Sequence, residues 1–180
     1  MIRKTSHRLA IISMVLIAGC AREEQPRGAP PPYSRPTPPR PSGPSLSSAQ
    51  YVAQASSIEL FLIGASELAM QKSTRPRTRE FATNEITAHK GTSAQLSLEG
   101  RRLNLLPSAT LSARHQAMLN DLERSQNFDA LYRQDEVAVH QEGETLHSRY
   151  SASGTSPTLR PVAQLLLPII QRHQRMLKYL

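Results

Sequence analysis

The sequence predicts an all-α protein, an antiparallel four-helix bundle over residues 47–180 preceded by a disordered, proline-rich tether. Three observations carry that prediction. Apolar residues recur three to four positions apart in four long stretches, the connections between those stretches are short, and no stretch shows the strict alternation of a half-buried strand. About 130 residues are enough for one hydrophobic core, so no second domain is needed.

Residues 1–19 are set apart from the fold. Arg3, Lys4 and Arg8 precede the apolar run from Leu9 to Ala18, and the small residue Gly19 leads into Cys20. That order of charge, apolar run and small residue is an export signal. The run is well short of the roughly 20 residues a helix needs to cross the hydrocarbon core. Ile17-Ala18-Gly19-Cys20 resembles the lipobox of bacterial lipoproteins, which implies that Cys20 is lipidated and ties the chain to a membrane. Ala21 follows the cysteine, and by the rule for such lipoproteins this points to the outer membrane, with the protein facing the periplasm. Cys20 is the only cysteine, so no internal disulfide can form.

Residues 20–46 form the expected tether. Nine of the fourteen prolines fall between Arg22 and Pro44, with almost nothing apolar between them. Such a segment buries too little surface to offset its ordering entropy. In polyproline-II form, at ~3.1 Å per residue, it reaches at most roughly 70 Å from the lipid. It reads as a spacer rather than as a recognition ligand.

The folded part starts at Ser47, a helix cap. Tyr51, Ala55, Ile58, Leu62, Ala65 and Ala69 then mark one face of a helix that ends near Lys72–Pro76. A second helix runs from Pro76, with Ala82, Ile86, His89, Ser93, Leu96 and Leu103 on one side, and Gly91 weakens it without ending it. Asn104–Ser108, containing Pro107, is a loop, and Leu111–Leu122 is a short helical lead-in. The third long helix runs from Phe128 to about Ser151. Ser153-Gly154-Thr155-Ser156-Pro157 is a tight turn, with Gly to stop one helix and Pro to start the next. The last helix carries Val162, Leu166, Ile169, His173, Leu177 and Leu180 on its apolar face, and Pro168 in its interior is expected to kink or split it.

The formal charge of +8 does not point to nucleic acid. Residues 51–180 hold fifteen Lys and Arg against twelve Asp and Glu, dispersed along the helices and without a basic stripe or stacking aromatics. No nucleophile elbow or glycine-rich phosphate loop is present, so hydrolase and nucleotide chemistry have no support.

Polar residues on the apolar faces point to chemistry of another kind. Phe128, Tyr132, Glu136 and His140 share one side of the third long helix. His89 and His173 lie among apolar neighbours, and Glu59 lies between Ala55 and Leu62. Counting from the turn at ~1.5 Å per residue puts Glu59 and His89 both about 20 Å away, facing each other, and His140 and His173 agree to roughly 7 Å. Buried carboxylates and imidazoles must pair or hold something. Glu59, His89, His140 and His173 therefore form a candidate metal set for zinc, copper or iron, with Tyr132, Glu136 and Glu85 supporting it from behind. The other reading is that these histidines only satisfy one another. His115 and His147 fall off this level and read as surface groups. Glu85 precedes His89 by four, and Glu136 precedes His140 by four. The Glu-x-x-His spacing of di-iron carboxylate enzymes is absent, so ferroxidase or oxygenase chemistry is not expected.

The chain resembles the bacterial domain-of-unknown-function family 4142 through Tyr51-Val52, Ser57-Ile58-Glu59, Phe81-Ala82 with His89, Leu106-Pro107, Phe128-Asp129 with Tyr132 and His140, and Leu167-Pro168 with His173. The pieces cover nearly all of residues 51–180 in order. The resemblance implies a ferritin-like helical fold in an exported protein with no established activity, and it points to the same Glu59, His89, His140 and His173. The family usually carries Asp directly before the histidine of the second helix, where this chain has Ala88. Two functions follow: a lipid-anchored envelope protein binding a transition metal in metal handling or envelope stress, or a non-catalytic structural or interaction module. An enzyme ranks behind both.

Overall fold

Five α-helices and no strand account for the regular structure of residues 45–180, the part described by the computed structural model. The expected signal, Cys20 and all but the last two residues of the tether lie outside the described residues. The helices are α1 (Ser48–Lys72), α2 (Pro76–Arg102), α3 (Ala113–Arg124), α4 (Phe128–Ser153) and α5 (Leu159–Leu177). No helix among the described residues is long and apolar enough to cross a membrane.

Each helix begins where local chemistry allows. Ser47 caps α1 through a reciprocal capping box with Gln50, so two orphan backbone donors are satisfied at once. Pro76 opens α2, where its missing N–H costs nothing. The Ser112 hydroxyl accepts the His115 N–H at the start of α3. Gly154 leaves α4 in extended backbone, and a side chain there would run into the Tyr150 ring, 2.6 Å from an ideal Cβ. Tyr150 stays in place by accepting the Ser156 N–H on its hydroxyl, which in turn donates to Ser48.

Helix α1 packs on α2 and α4, α5 packs closely on α4 and more thinly on α2, and α3 lies against α1 and α4. The core between them is formed by residues such as Ile58, Leu62, Phe81, Leu96, Val139, Leu166, Ile170 and Leu177, all nearly or fully buried. Fully burying an aliphatic side chain of this size contributes about 1.5–3 kcal/mol. Close approach of α4 to α5 depends on Gly143, because a Cβ there would sit 3.1 Å from Ile170 Cδ1 and 3.7 Å from Ile58 Cγ2. Gly143 lies one turn beyond His140, so this approach also sets the depth at which His140 meets α5.

Three expectations are corrected. Helix α5 is not split at Pro168. Pro168 and Gln164 are both exposed, so the carbonyl that loses its intrahelical N–H faces water. On α5 the buried residue is Ile170, with Ile169 only half-buried. His115 and His147 are buried rather than on the surface. The His115 Nδ1 meets the Ser57 hydroxyl at 2.7 Å and its Nε2 lies 3.2 Å from Glu142, which pins α3 to α1 and α4. The His147 Nδ1 meets the Tyr51 hydroxyl at 3.1 Å, beneath the stacked rings of Tyr51 and Tyr150.

Burial pushes the His147 imidazole down to about 4 from its ordinary 6.5. The unfolded chain takes up a proton there between those two values and the folded chain does not, so stability is lost as the pH falls through that window. The loss is at most about 3 kcal/mol. Urea unfolding followed across this pH range should show that slope, and His147→Gln, which keeps a polar partner for Tyr51, should flatten it. Identical slopes in the two proteins would rule His147 out as the acid-sensitive group.

Candidate metal centre

Midway along the core, α1, α2, α4 and α5 bring six ionisable side chains together: Glu59, Glu85, His89, Glu136, His140 and His173, none more than 1 % exposed. Helical spacing places them. Glu85 and His89 are one turn apart on α2, and Glu136 and His140 one turn apart on α4, so each pair projects from one face into the core.

Glu85 is the hub. Its Oε2 lies 3.1 Å from His89 Nε2, and its Oε1 lies 2.5 Å from His173 Nδ1 and 3.4 Å from His140 Nε2. The His89 Nε2 and His173 Nδ1 are 3.3 Å apart. One atom from each of Glu85, His89, His140 and His173 lies within 4.8 Å of all the others.

The outer nitrogens are held from behind. His89 Nδ1 donates to Glu59 Oε2 at 3.0 Å, and that oxygen also accepts the Thr92 hydroxyl at 2.5 Å. His140 Nδ1 donates to the Glu136 main-chain carbonyl at 2.8 Å. Both bonds turn Nε2 of each ring toward Glu85. Fixing the far ring nitrogen in this way orients metal-ligating histidines generally.

Burial alone would raise Glu85, but the imidazoles of His140, His173 and His89 hold its carboxyl well below the ordinary range. For His89, burial works against the charged ring, yet Glu59 and Glu85 outweigh it and push the imidazole up to about 10. Burial, reinforced by the charge on Glu85, pushes Glu136 well above the ordinary carboxylate range. Burial likewise raises the Tyr132 phenol, whose hydroxyl bonds with Ser66 at 2.9 Å.

The donor set fits a transition metal. Donor atoms on a four-coordinate ion with bonds of roughly 2.0–2.1 Å stand about 3.3 Å apart. Of the four separations given above, 3.1 Å from His89 to Glu85 Oε2, 3.4 Å from His140 to Glu85 Oε1 and 3.3 Å between His89 and His173 are close to that value, and the 2.5 Å from Glu85 Oε1 to His173 Nδ1 is shorter. His140 Nε2 and both Glu85 oxygens are buried without an aligned hydrogen bond. Unpartnered polar atoms in a dry interior are costly, and a cation between them would satisfy all three.

Of the residues singled out from sequence, His89, His140 and His173 each contribute an atom to this group. Glu59 stands one step back, on the far nitrogen of His89, and Glu85 stands among the donor atoms. Glu136 lies behind His140, with Oε2 3.4 Å from Nδ1. Tyr132 lies further along α4, bonded to Ser66 rather than to the group. Thr92 was not anticipated; its position one turn after His89 on the buried side of α2 is the signal that marks it.

Solved structures with a similar fold include CopM in a Cu(II)-bound form, at 16 % identity and a TM-score of 0.65, covering 76 % of this chain and 96 % of that one. CopM in a silver-bound form matches at 15 % identity and a TM-score of 0.62, over 75 % and 95 % of the two chains. A DUF305 fragment from Deinococcus radiodurans matches at 14 % identity and a TM-score of 0.62, over 75 % and 96 %. At such identities the likeness is one of fold. None of the curated proteins compared matches the sequence. The family described as Domain of unknown function (DUF4142) matches residues 34–180, most of the chain, and the protein belongs to that family.

Proposed function

We propose that this is a lipid-anchored protein of the cell envelope whose helical core binds a transition metal ion, serving metal handling or envelope stress. Glu85, His89, His140 and His173 would hold the ion, and Glu59 would orient His89. The observation that carries this reading is the convergence of four buried donor atoms within 4.8 Å, one of them an imidazole nitrogen with no hydrogen-bond partner. Three imidazoles and one carboxylate suit copper, zinc or iron. Copper is the first choice among them, because the similarly folded CopM has been solved with Cu(II), Cu(I) and silver bound. A bound ion would supply charge to neutralise Glu85 and a centre to which the three rings are already directed.

The architecture belongs to the same proposal. The pairings of Tyr51 with His147 and of Ser66 with Tyr132 support α1 and α4 running in opposite directions. Helices α1, α2, α4 and α5 would then form an antiparallel four-helix, ferritin-like bundle, with α3 as an added side helix. The Ile17-Ala18-Gly19-Cys20 resemblance to a lipobox supports attachment through Cys20 to the outer membrane.

A second reading, a structural module without metal, is favoured by one observation. With His89 pushed up to about 10, its ring carries a proton that bridges Glu59 and Glu85, and the cluster can then close on itself.

Metal analysis of protein purified without a histidine tag separates the two readings. The metal reading expects about one equivalent of copper or zinc and a Tm that rises with free metal, by about 2.7 kcal/mol of stability at a hundredfold excess over Kd. His140→Gln should lose the metal and keep the helical circular dichroism. Absence of bound metal, with a Tm indifferent to both ions, would leave only the structural module. Replacing Glu59 by Leu should retain the stoichiometry but weaken affinity by roughly 10–100-fold, as losing the acceptor behind a ligating histidine does. An unchanged Kd would remove Glu59 from the site. The anchoring proposal is checked separately: Cys20→Ser should move the protein from the membrane to the soluble fraction, and continued membrane retention would contradict lipidation.

A further inference from the structure

The four donor residues are almost wholly enclosed, so an ion must reach them through some wall. His173 alone of the four lines a surface cleft among those described. The cleft lies between α2 and α5, has a volume of about 360 Å³, and is lined by Asn84, Thr87, Ala88, Arg172, His173 and Met176. This is also where α5 rests on α2 with the thinner of its two helix contacts.

The chemistry of this lining is selective. His173 and Met176 stand three residues apart on α5, so they share a face, with Cβ atoms about 5–6 Å apart. They bring an imidazole and a thioether to the same space. No carboxylate lines it, and Arg172 is among its lining residues. A hard divalent cation finds only the neutral side-chain oxygens of Asn84 and Thr87 there, short of the charged oxygen cage it prefers. A soft monovalent ion finds sulfur and nitrogen, the donors it prefers. The His173 Nδ1 is directed inward at Glu85, and the same residue lines the cleft.

We propose that this cleft is the loading port of the core site, where a soft monovalent cation of the Cu(I) or Ag(I) class is first held by Met176 Sδ and the His173 ring. Rotation of that ring then delivers the ion to Glu85, His89 and His140. This rests on the metal-binding reading and adds to it a route and a preferred ionic class. Met176 is a positioning residue for uptake, outside the final donor set.

The test follows the methyl resonance of Met176 and the ring resonances of His89 and His140 while Ag(I) is added to the full chain. A second arm measures the rate at which Cu(I) leaves a chromophoric chelator. In the wild-type protein the Met176 methyl should shift at sub-stoichiometric Ag(I), and in His140→Gln, whose core site is disabled, it should still shift. Met176→Leu, close in volume, should slow uptake by about tenfold or more and leave final occupancy unchanged. Core loading with a silent Met176 methyl, or an uptake rate untouched by Met176→Leu, would overturn the port. If the core resonances never respond in wild type, the metal-binding reading fails, and the Met176 shift in His140→Gln still decides whether the cleft binds the ion.

Discussion

Three carboxylates buried at one depth, Glu59, Glu85 and Glu136, impose the constraint that the rest of the core answers. An isolated carboxylate in such an interior is costly enough that it must be neutralised, either by a proton or by a partner. The molecule uses both means. Glu136 sits beside the charge of Glu85 and is pushed toward its protonated form, whereas Glu85 is kept ionised by three imidazoles. Glu59 receives two donors, His89 and Thr92, on one oxygen. Removing any one imidazole would leave a buried charge short of its counterpart, which is why α2, α4 and α5 cannot slide past one another without breaking the cluster.

Away from this level, the polar contacts between helices are of a different kind. Tyr51 with His147, Tyr150 with Ser48, and Ser57 with His115 pair side chains directly across helices, with His147 Nε2 left without a hydrogen bond. They fix the register of α1 against α3 and α4 at two depths outside the cluster. Among the described residues, the buried side-chain atoms that lack an aligned hydrogen bond gather at the core level, with His147 Nε2 as the exception. A protein that needed only register could have used the first kind of contact throughout. The proposed ion would engage His140 Nε2 and the Glu85 oxygens, which lie at this level.

Much of this was legible in the sequence, and the misreadings share a cause. Helix starts were readable because caps are local: Ser47, Pro76 and the Gly154 turn act on neighbours within one turn. The depth at which Glu59 meets His89 was readable because rise per residue is fixed and the turn between α1 and α2 is short. The inward face of α2 was read by following Ala82, Ile86, His89 and Ser93. In the structure Phe81, Glu85, Thr92 and Glu99 are buried while Ile86 and Ser93 are half-buried, because the cluster draws polar residues inward where hydrophobicity would place Ile86. A small rotation of the helix about its axis thus moved Glu85 from supporting position to hub. His115 and His147 escaped for the same reason: an imidazole whose partners, Ser57 or Tyr51, come from a distant part of the chain carries no local mark of burial.

Ala88 shows how such a rotation bears on function. The resemblance drawn from the sequence implies Asp at this place, where it would offer the neighbouring histidine an acceptor; this chain has Ala88. Here Ala88 lines the α2–α5 cleft, while His89 Nδ1, about 100° further round the helix, bonds to the Glu59 oxygen that also accepts the Thr92 hydroxyl. Alanine at this position therefore leaves the orientation of His89 intact, because Glu59 and not residue 88 supplies the acceptor.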